Sequence, residues 1–345
     1  MVQSRNNVAS TQPSSIGLAW PPRYDFHNQR VKGWAGLVET RYCLERRLAE
    51  GVSEVHMHLA PRDVSEDGAT RLALRFVVPN MGIQLLRDHS RFSESLGSLA
   101  SERGWSGGVE AIIDISRVLP GHSIVYFGFN APGRIMNSEI FRAETASADA
   151  VNQMPIVPLQ EAIARIQNAG LCLEVLPHAS PEEISRITQL YQQAFPRYIF
   201  PIDETAVSDI VNNPDNLVLV ARNQSGRIVS SLAAEHAVFH VGNRGINLIE
   251  VSEAATDTEY RGNGLLTALY QQIIDILHQG YDSGNTIVYA EARAPWVPAN
   301  IVTRRGGLEF CGMLNQPCTI VSNRSPGMQY AGIFEDLTVW AHQSF

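Results

Sequence analysis

The sequence predicts an α/β protein in two domains. Three observations carry that reading. At 345 residues the chain is long enough for two domains of ordinary size. Short alternating apolar runs recur between helical patterns, which is the mark of mixed α/β or α+β layers. A turn, Arg261-Gly262-Asn263-Gly264, joins a strand-like run over Ile246–Thr256 to a helix-like run from Leu265 to about Gly280.

The expected N-terminal domain spans 17–165, after a polar, flexible tail over 1–16. Ser53 to Leu59 and Arg71 to Val78 alternate like half-buried strands, and Ile124 to Phe129 reads as another. Leu44 to Gly51 and Ser93 to Gly104 read as helices, the latter ending at a glycine stop. The rhythm is lost over 130–158, where Asn130-Ala131-Pro132-Gly133 and Met154-Pro155-Ile156-Val157-Pro158 suggest a linker, with a domain boundary near 165.

The second half, 166–345, reads more clearly. Leu171 to Leu176 is a strand. Ser180-Pro181-Glu182-Glu183 is a helix start, with Ser180 as N-cap, Pro181 at N1 and Glu183 closing a capping box. Asn216 to Arg222 and Arg227 to Val241 form a hairpin around Asn223-Gln224-Ser225-Gly226. After the strand, turn and helix already described come a strand over Thr286–Arg293, a short helix over Pro298–Arg305, and two strands around Gly312–Val321 and Phe334–Ala341.

Composition narrows the function. Hydrophobic content of 44% and charged content of 18% suit a folded protein. A net charge of −8 argues against a nucleic-acid binder, which needs a basic face. No apolar run approaches the ~18 residues of a membrane span, and no secretory segment opens the chain, so the expectation is a cytoplasmic protein without membrane contact. The four cysteines, Cys43, Cys172, Cys311 and Cys318, make no CxxC pair and read as free thiols. His56 and His58 share a strand face without a third ligand, so no metal is expected.

The Arg261–Gly264 turn is a phosphate cradle by its chemistry. Successive backbone N–H groups and the positive end of a helix converge there, and glycine allows φ > 0 with no Cβ in the ligand's way. Glu250 and Glu253, on the preceding strand, are candidate bases. An amine like that of lysine has pKa ~10.4, so about one molecule in a few thousand is neutral at pH ~7 and a carboxylate must take the proton. In a regular strand these two glutamates face opposite sides, and only a bulge lets both serve one site.

The order strand, helix, hairpin, strand, Arg-Gly-x-Gly turn, helix, strand, helix and strand pair resembles the GNAT acyltransferase superfamily over roughly 170–345. Two segments are similar to β-lysine N-acetyltransferases: Glu250 to Thr256 with Glu259 to Leu265, and Asn300 to Gly307 with Leu314-Asn315 and Glu335 to Trp340. The resemblance implies a GNAT-like mixed central sheet, with acetyl-CoA or another acyl-CoA as co-substrate. The backbone from Arg261, Gly262, Asn263 and Gly264 to Leu265 and Leu266 would then hold the pyrophosphate. Ala254, Ala255 and Thr256 would pair with the pantetheine arm, and a free N–H there would polarise the thioester oxygen. Asn300 would contact the same arm.

The resemblance also implies a bulge near the glutamates and a small, amino-acid-like amine acceptor; Tyr289 and Glu291 alternate on the next strand and are candidates to line its pocket. Glu259 stands where the superfamily often has Gln or Arg, and Thr303 about where it has a tyrosine acid. Water, Tyr289 or bulk solvent would then protonate the leaving thiolate. A peptide or protein acceptor and a non-catalytic acyl-CoA-binding regulatory module stand as alternatives. For the N-terminal domain, covering the acceptor side and mediating a homodimer both stand open.

Overall fold

The computed structural model describes residues 58–64, 70–80, 106–130, 138–195, 202–241, 244–318 and 335–342. The expected tail, the helices at Leu44–Gly51 and Ser93–Gly104, and His56 lie outside them.

The strands are β1 (His58–Val64), β2 (Thr70–Pro79), β3 (Ser106–Asp114), β4 (His122–Asn130), β5 (Cys172–Val175), β6 (Leu217–Arg222), β7 (Ile228–Val241), β8 (Arg244–Thr256), β9 (Thr286–Arg293), β10 (Glu309–Cys318) and β11 (Glu335–Ala341). They form one sheet in the order β1-β2-β4-β3-β10-β11-β9-β8-β7-β6-β5. Among the described strands, β8 and β9 make the parallel pair and the other neighbours are antiparallel. A parallel pair needs a crossover, and the turn and helix after β8 supply it.

The helices are α1 (Ser138–Asn152), α2 (Leu159–Asn168), α3 (Pro181–Ala194), α4 (Glu204–Val211), α5 (Leu265–Gly280) and α6 (Val297–Arg305). Helix α3 starts as its sequence dictates: Ser180 Oγ accepts from the Glu183 N–H at 3.3 Å, and Glu183 accepts from the Ser180 N–H at 2.8 Å.

The expected linker over 130–158 is corrected by α1, and the boundary expected near 165 falls inside α2. The buried face of α1 is Ala148 and Val151, and the helix packs against α6 and β10, with the Phe310 N–H donating to Asn152 Oδ1 at 3.0 Å. Alanine gives a weak hydrophobic period, so the helix does not announce itself. Helix α4, capped by Asp203, was likewise not expected.

Alternation along β8 sends Ile249 and Val251 to one sheet face, with Val288, Ala290 and Trp340 under Leu269, Ile273 and Leu277 of α5. Ile246 and Leu248 go to the other face, in a layer that includes Ile287, Tyr289, Leu337 and Val339 and reaches Ala111, Ile113, Ile124 and Tyr126 of β3 and β4. Helices α3 and α4 cover Val218, Val220, Ala233 and Ala255. The N-terminal and C-terminal halves of the sheet join where Gly312 of β10 pairs with Ala111 of β3. At φ +143°, a Cβ on Gly312 would lie 2.5 Å from the Glu110 carbonyl oxygen, so this joint needs glycine.

Candidate active site

The β8–β9 ladder runs from Asn247↔Thr286 to Glu250↔Tyr289 and stops there. Strand β9 continues to Arg293 on β11, while β8 continues to Thr256 on β7. The two central strands therefore part after Glu250. The β9-facing edge of β8 from Val251 to Thr256 is left without a ladder partner in β9, and an extended ligand could pair there as an added strand.

The expected bulge is present. On β7–β8, Ser231 pairs Ala255 and Ala233 pairs Ser252, so Glu253 and Ala254 stand against Leu232 alone. Glu253 carries the strain, at φ +52° while 7% exposed. The residues Ala254, Ala255 and Thr256 follow. Ala255 is buried, and its carbonyl accepts from Ser230 Oγ at 2.9 Å, which anchors this end of β8 on β7.

Glu250 lies in a row across three strands, with Glu235 on β7 and Tyr289 on β9 as its register partners. The Tyr289 hydroxyl donates to Glu250 Oε2 at 2.5 Å. Ser252 Oγ donates to Glu235 Oε1 at 2.8 Å.

The turn after β8 is braced from several sides. Asp257 caps the short 3-10 turn Thr258–Tyr260 by accepting from the Glu259 N–H. Its other oxygen meets Arg186 of α3 at 2.6 Å and Arg227 at 3.2 Å. Burial pushes the Asp257 carboxyl up, but the Arg186 hydrogen bond, the Glu259 N–H and the two cations outweigh it and hold it below the ordinary value. A lowered folded pKa means stability present above about 3.8 and lost as pH falls through the folded value. Asp257→Asn should therefore lower the melting temperature at pH 7, by roughly 1–3 kcal/mol of stability for the lost charged hydrogen bonds. The gap to the parent should narrow as pH drops below the ordinary carboxylate range; melting curves from pH 7 to 3 check it, and a constant gap would contradict it.

Arg261 Nε donates to the Thr256 carbonyl at 3.1 Å, and Asn263 Nδ2 to the Tyr260 carbonyl at 3.1 Å. Both side chains thus fold back on the turn. Gly262 and Gly264 sit at φ +84° and +79°, and a Cβ on either would meet nothing within 4 Å. Gly264 is the N-cap of α5 and provides no side-chain cap. The first N–H groups of that helix, from Leu265 on, have no intrahelical acceptor. A left-handed backbone, open space above it and uncapped donors fit a phosphate group of an acyl-CoA.

Asn300, expected at the pantetheine arm, is 2% exposed and engaged within the protein. Its Nδ2 donates to the carbonyls of Arg293, Ala294 and Trp296, and its Oδ1 accepts from Thr338 and from Trp340 Nε1. It holds the end of β9 to α6 and β11, and a cofactor contact would have to displace part of that network.

Thr303 bonds the Ala299 carbonyl and lies 3.5 Å from the hydroxyl of Tyr270. A tyrosine hydroxyl from α5 thus lies buried beside Thr303. Gly306 permits this, since a Cβ there would lie 2.7 Å from the Cβ of Tyr270. Burial pushes the Tyr270 phenol up to about 12, and the charge of Glu250 adds to it, against the Thr303 hydrogen bond. Tyr270, Arg186 and Asp257 were missed from sequence. The short-range signal for Asp257 was an acceptor directly before the Thr258-Glu259-Tyr260 turn; its partners lie 71 and 30 residues away.

Among the described residues no group of three or more His, Cys, Asp or Glu could hold a metal, and no helix is long and apolar enough to cross a membrane.

Residues 177–294 match the acetyltransferase (GNAT) domain family. The match runs from just before α3 to the end of β9 and includes the bulge, the turn and both glutamates. No curated protein matches the sequence. Among solved structures, Arabidopsis thaliana NAA60 with a bisubstrate analogue is 16% identical, covering 50% of this chain and 98% of that chain at a TM-score of 0.39. An N-acetyltransferase from Staphylococcus aureus is 12% identical, covering 50% and 96% at 0.35. A spermidine N-acetyltransferase from Vibrio cholerae is 11% identical, covering 50% and 94% at 0.36. No acceptor follows from likeness at this level.

The chain carries a GNAT acetyltransferase domain at 177–294, within a mixed α/β sheet. That matched segment is an acetyltransferase-type domain, whose co-substrate is an acyl-CoA.

Proposed function

We propose that the protein moves an acetyl group from acetyl-CoA to the primary amine of a small, amino-acid-like acceptor, by direct attack with glutamate assistance. One observation carries this reading: β8 and β9 part directly after Glu250, so a carboxylate stands at the mouth of an unpaired strand edge that leads to the glycine turn.

In this mechanism the backbone from Arg261 to Leu266 binds the pyrophosphate, with Gly262 and Gly264 keeping the approach open. The edge of β8 at Ala254, Ala255 and Thr256 orients the pantetheine arm, and a backbone N–H there polarises the thioester carbonyl. Glu250 takes the proton of the acceptor's ammonium, directly or through water, so that a neutral amine attacks. Glu253, strained and buried at the bulge, is the second candidate for that proton or for binding a cationic acceptor. Asn300 supports the pantetheine side chiefly by fixing the end of β9.

A small acceptor accords with the acidic row of Glu235 and Glu250, which suits a cation. It also accords with the apolar layer that continues from this sheet face to β3 and β4 and lays the N-terminal strands on the acceptor side. Within the class, β-lysine N-acetyltransferases are the resemblance that the sequence carries. We place the protein in the cytoplasm.

Thiol release from acetyl-CoA across a panel of amines, amino acids and peptides tests the reading. Turnover with small cationic amines is expected. Turnover confined to peptides would move the acceptor class, and tight CoA binding without thiol release from any acceptor would put a non-catalytic module ahead.

A further inference from the structure

The strand split gives Glu250 a specific neighbour. Glu250↔Tyr289 is the last rung of the parallel ladder, and residues paired in register share a sheet face. The Tyr289 ring is 3% exposed, in the apolar layer with Ile246, Leu248, Ile287 and Leu337. Packing of that kind locks a rotamer, so the hydroxyl is delivered to one place. It donates to Glu250 Oε2 at 2.5 Å, a length typical of an O–H donor on an ionised carboxylate.

We propose that Tyr289 is the positioning residue of Glu250: its phenol fixes the plane of the carboxylate at the mouth of the split and favours the charged form that accepts the proton. The inference rests on the reading of Glu250 as base. The proton moves from the acceptor's ammonium to Glu250 and then to solvent, while Tyr289 keeps its own. When Glu250 is protonated the Tyr289 bond weakens, so the tyrosine disfavours retention of the proton and readies the base for the next turnover.

Other titratable groups surround this pair. Glu235 on β7 is the antiparallel register partner of Glu250, and Glu253 follows on β8. Glu291 lies two residues beyond Tyr289 on β9, and Tyr270 from α5 feels the charge of Glu250. Further carboxylates beside Glu250 favour its protonated form, and a fixed donor opposes that tendency.

Tyr289→Phe keeps the ring and removes the donor. We expect kcat to fall about tenfold or more, as for a lost hydrogen bond to a charged group, with the KM for acetyl-CoA unchanged. The acid limb of the kcat profile should move to higher pH, because the carboxylate loses what stabilises its charge. In a Glu250→Gln background the same substitution should cost far less, since the two residues act as a unit. An acid limb that stays in place, or an equal fold-loss in both backgrounds, overturns the inference. Failure of the underlying reading looks different: Glu250→Gln alone would then turn over acetyl-CoA like the parent.

Discussion

Glu250→Gln is expected to lower kcat by about 10²–10⁴-fold, the span of a lost general base, with CoA binding retained. The side chain keeps its length and its place in the row between Glu235 and Tyr289, so the loss should fall on proton transfer. Only a small fraction of an amine of pKa ~10.4 is neutral at pH ~7, so the variant should recover rate steeply as pH rises and the amine deprotonates unaided. That recovery separates a lost base from a damaged fold. Glu253→Gln is the comparison. Glu253 is buried at a bulge with φ +52°, so its substitution should weigh more on melting temperature than on the slope of rate against pH. Steady-state kinetics of both variants from pH 6 to 10 decide between them. Parent-like turnover in both would remove the two glutamates from the mechanism.

What could be read from the sequence was local. The strand over Ile246–Thr256, the glycine turn and the helix from Leu265 follow from period, turn chemistry and helix-start rules within some thirty residues. The capping box at Ser180 and the hairpin at Asn223–Gly226 follow in the same way. The bulge needed one further step: two glutamates three apart could not share a site without it, and the register slips between Ser252 and Ala255.

Pairing in space could not be read. That Glu250 faces Tyr289 depends on a parallel register set by the α5 crossover, and Asp257 meets Arg186 across 71 residues. Helices α1 and α2 were hidden for another reason. Their buried positions are few, Ala148 and Val151 in one and Ala162 and Ile166 in the other, between proline-rich stretches that suggest a linker. The role of Asn300 is the same problem at a single residue. Its amide matches an expected cofactor contact by sequence, but the structure gives it Arg293, Trp296, Thr338 and Trp340 as partners.

The turn itself yields the second large prediction, at Gly264. Its φ of +79° asks for glycine, and the empty space around a Cβ there means that a side chain would harm what enters that space before it harms the protein. Two substitutions separate these effects. Asparagine tolerates the left-handed region, so Gly264→Asn introduces bulk with little strain. Valine does not, so Gly264→Val adds roughly 1–3 kcal/mol of backbone strain to similar bulk. If the turn cradles the pyrophosphate, both variants should lose CoA affinity by roughly ten- to 150-fold, the equivalent of one charged hydrogen bond displaced, while only the valine variant melts markedly lower. Calorimetric titration with CoA beside thermal melting reads the two quantities apart. Parent-like affinity in a folded Gly264→Asn would move the phosphate site off the turn. Lost affinity at an unchanged melting temperature would mean that the glycine is kept open for the ligand, with Arg261 and Asn263 serving to hold the backbone in shape around it.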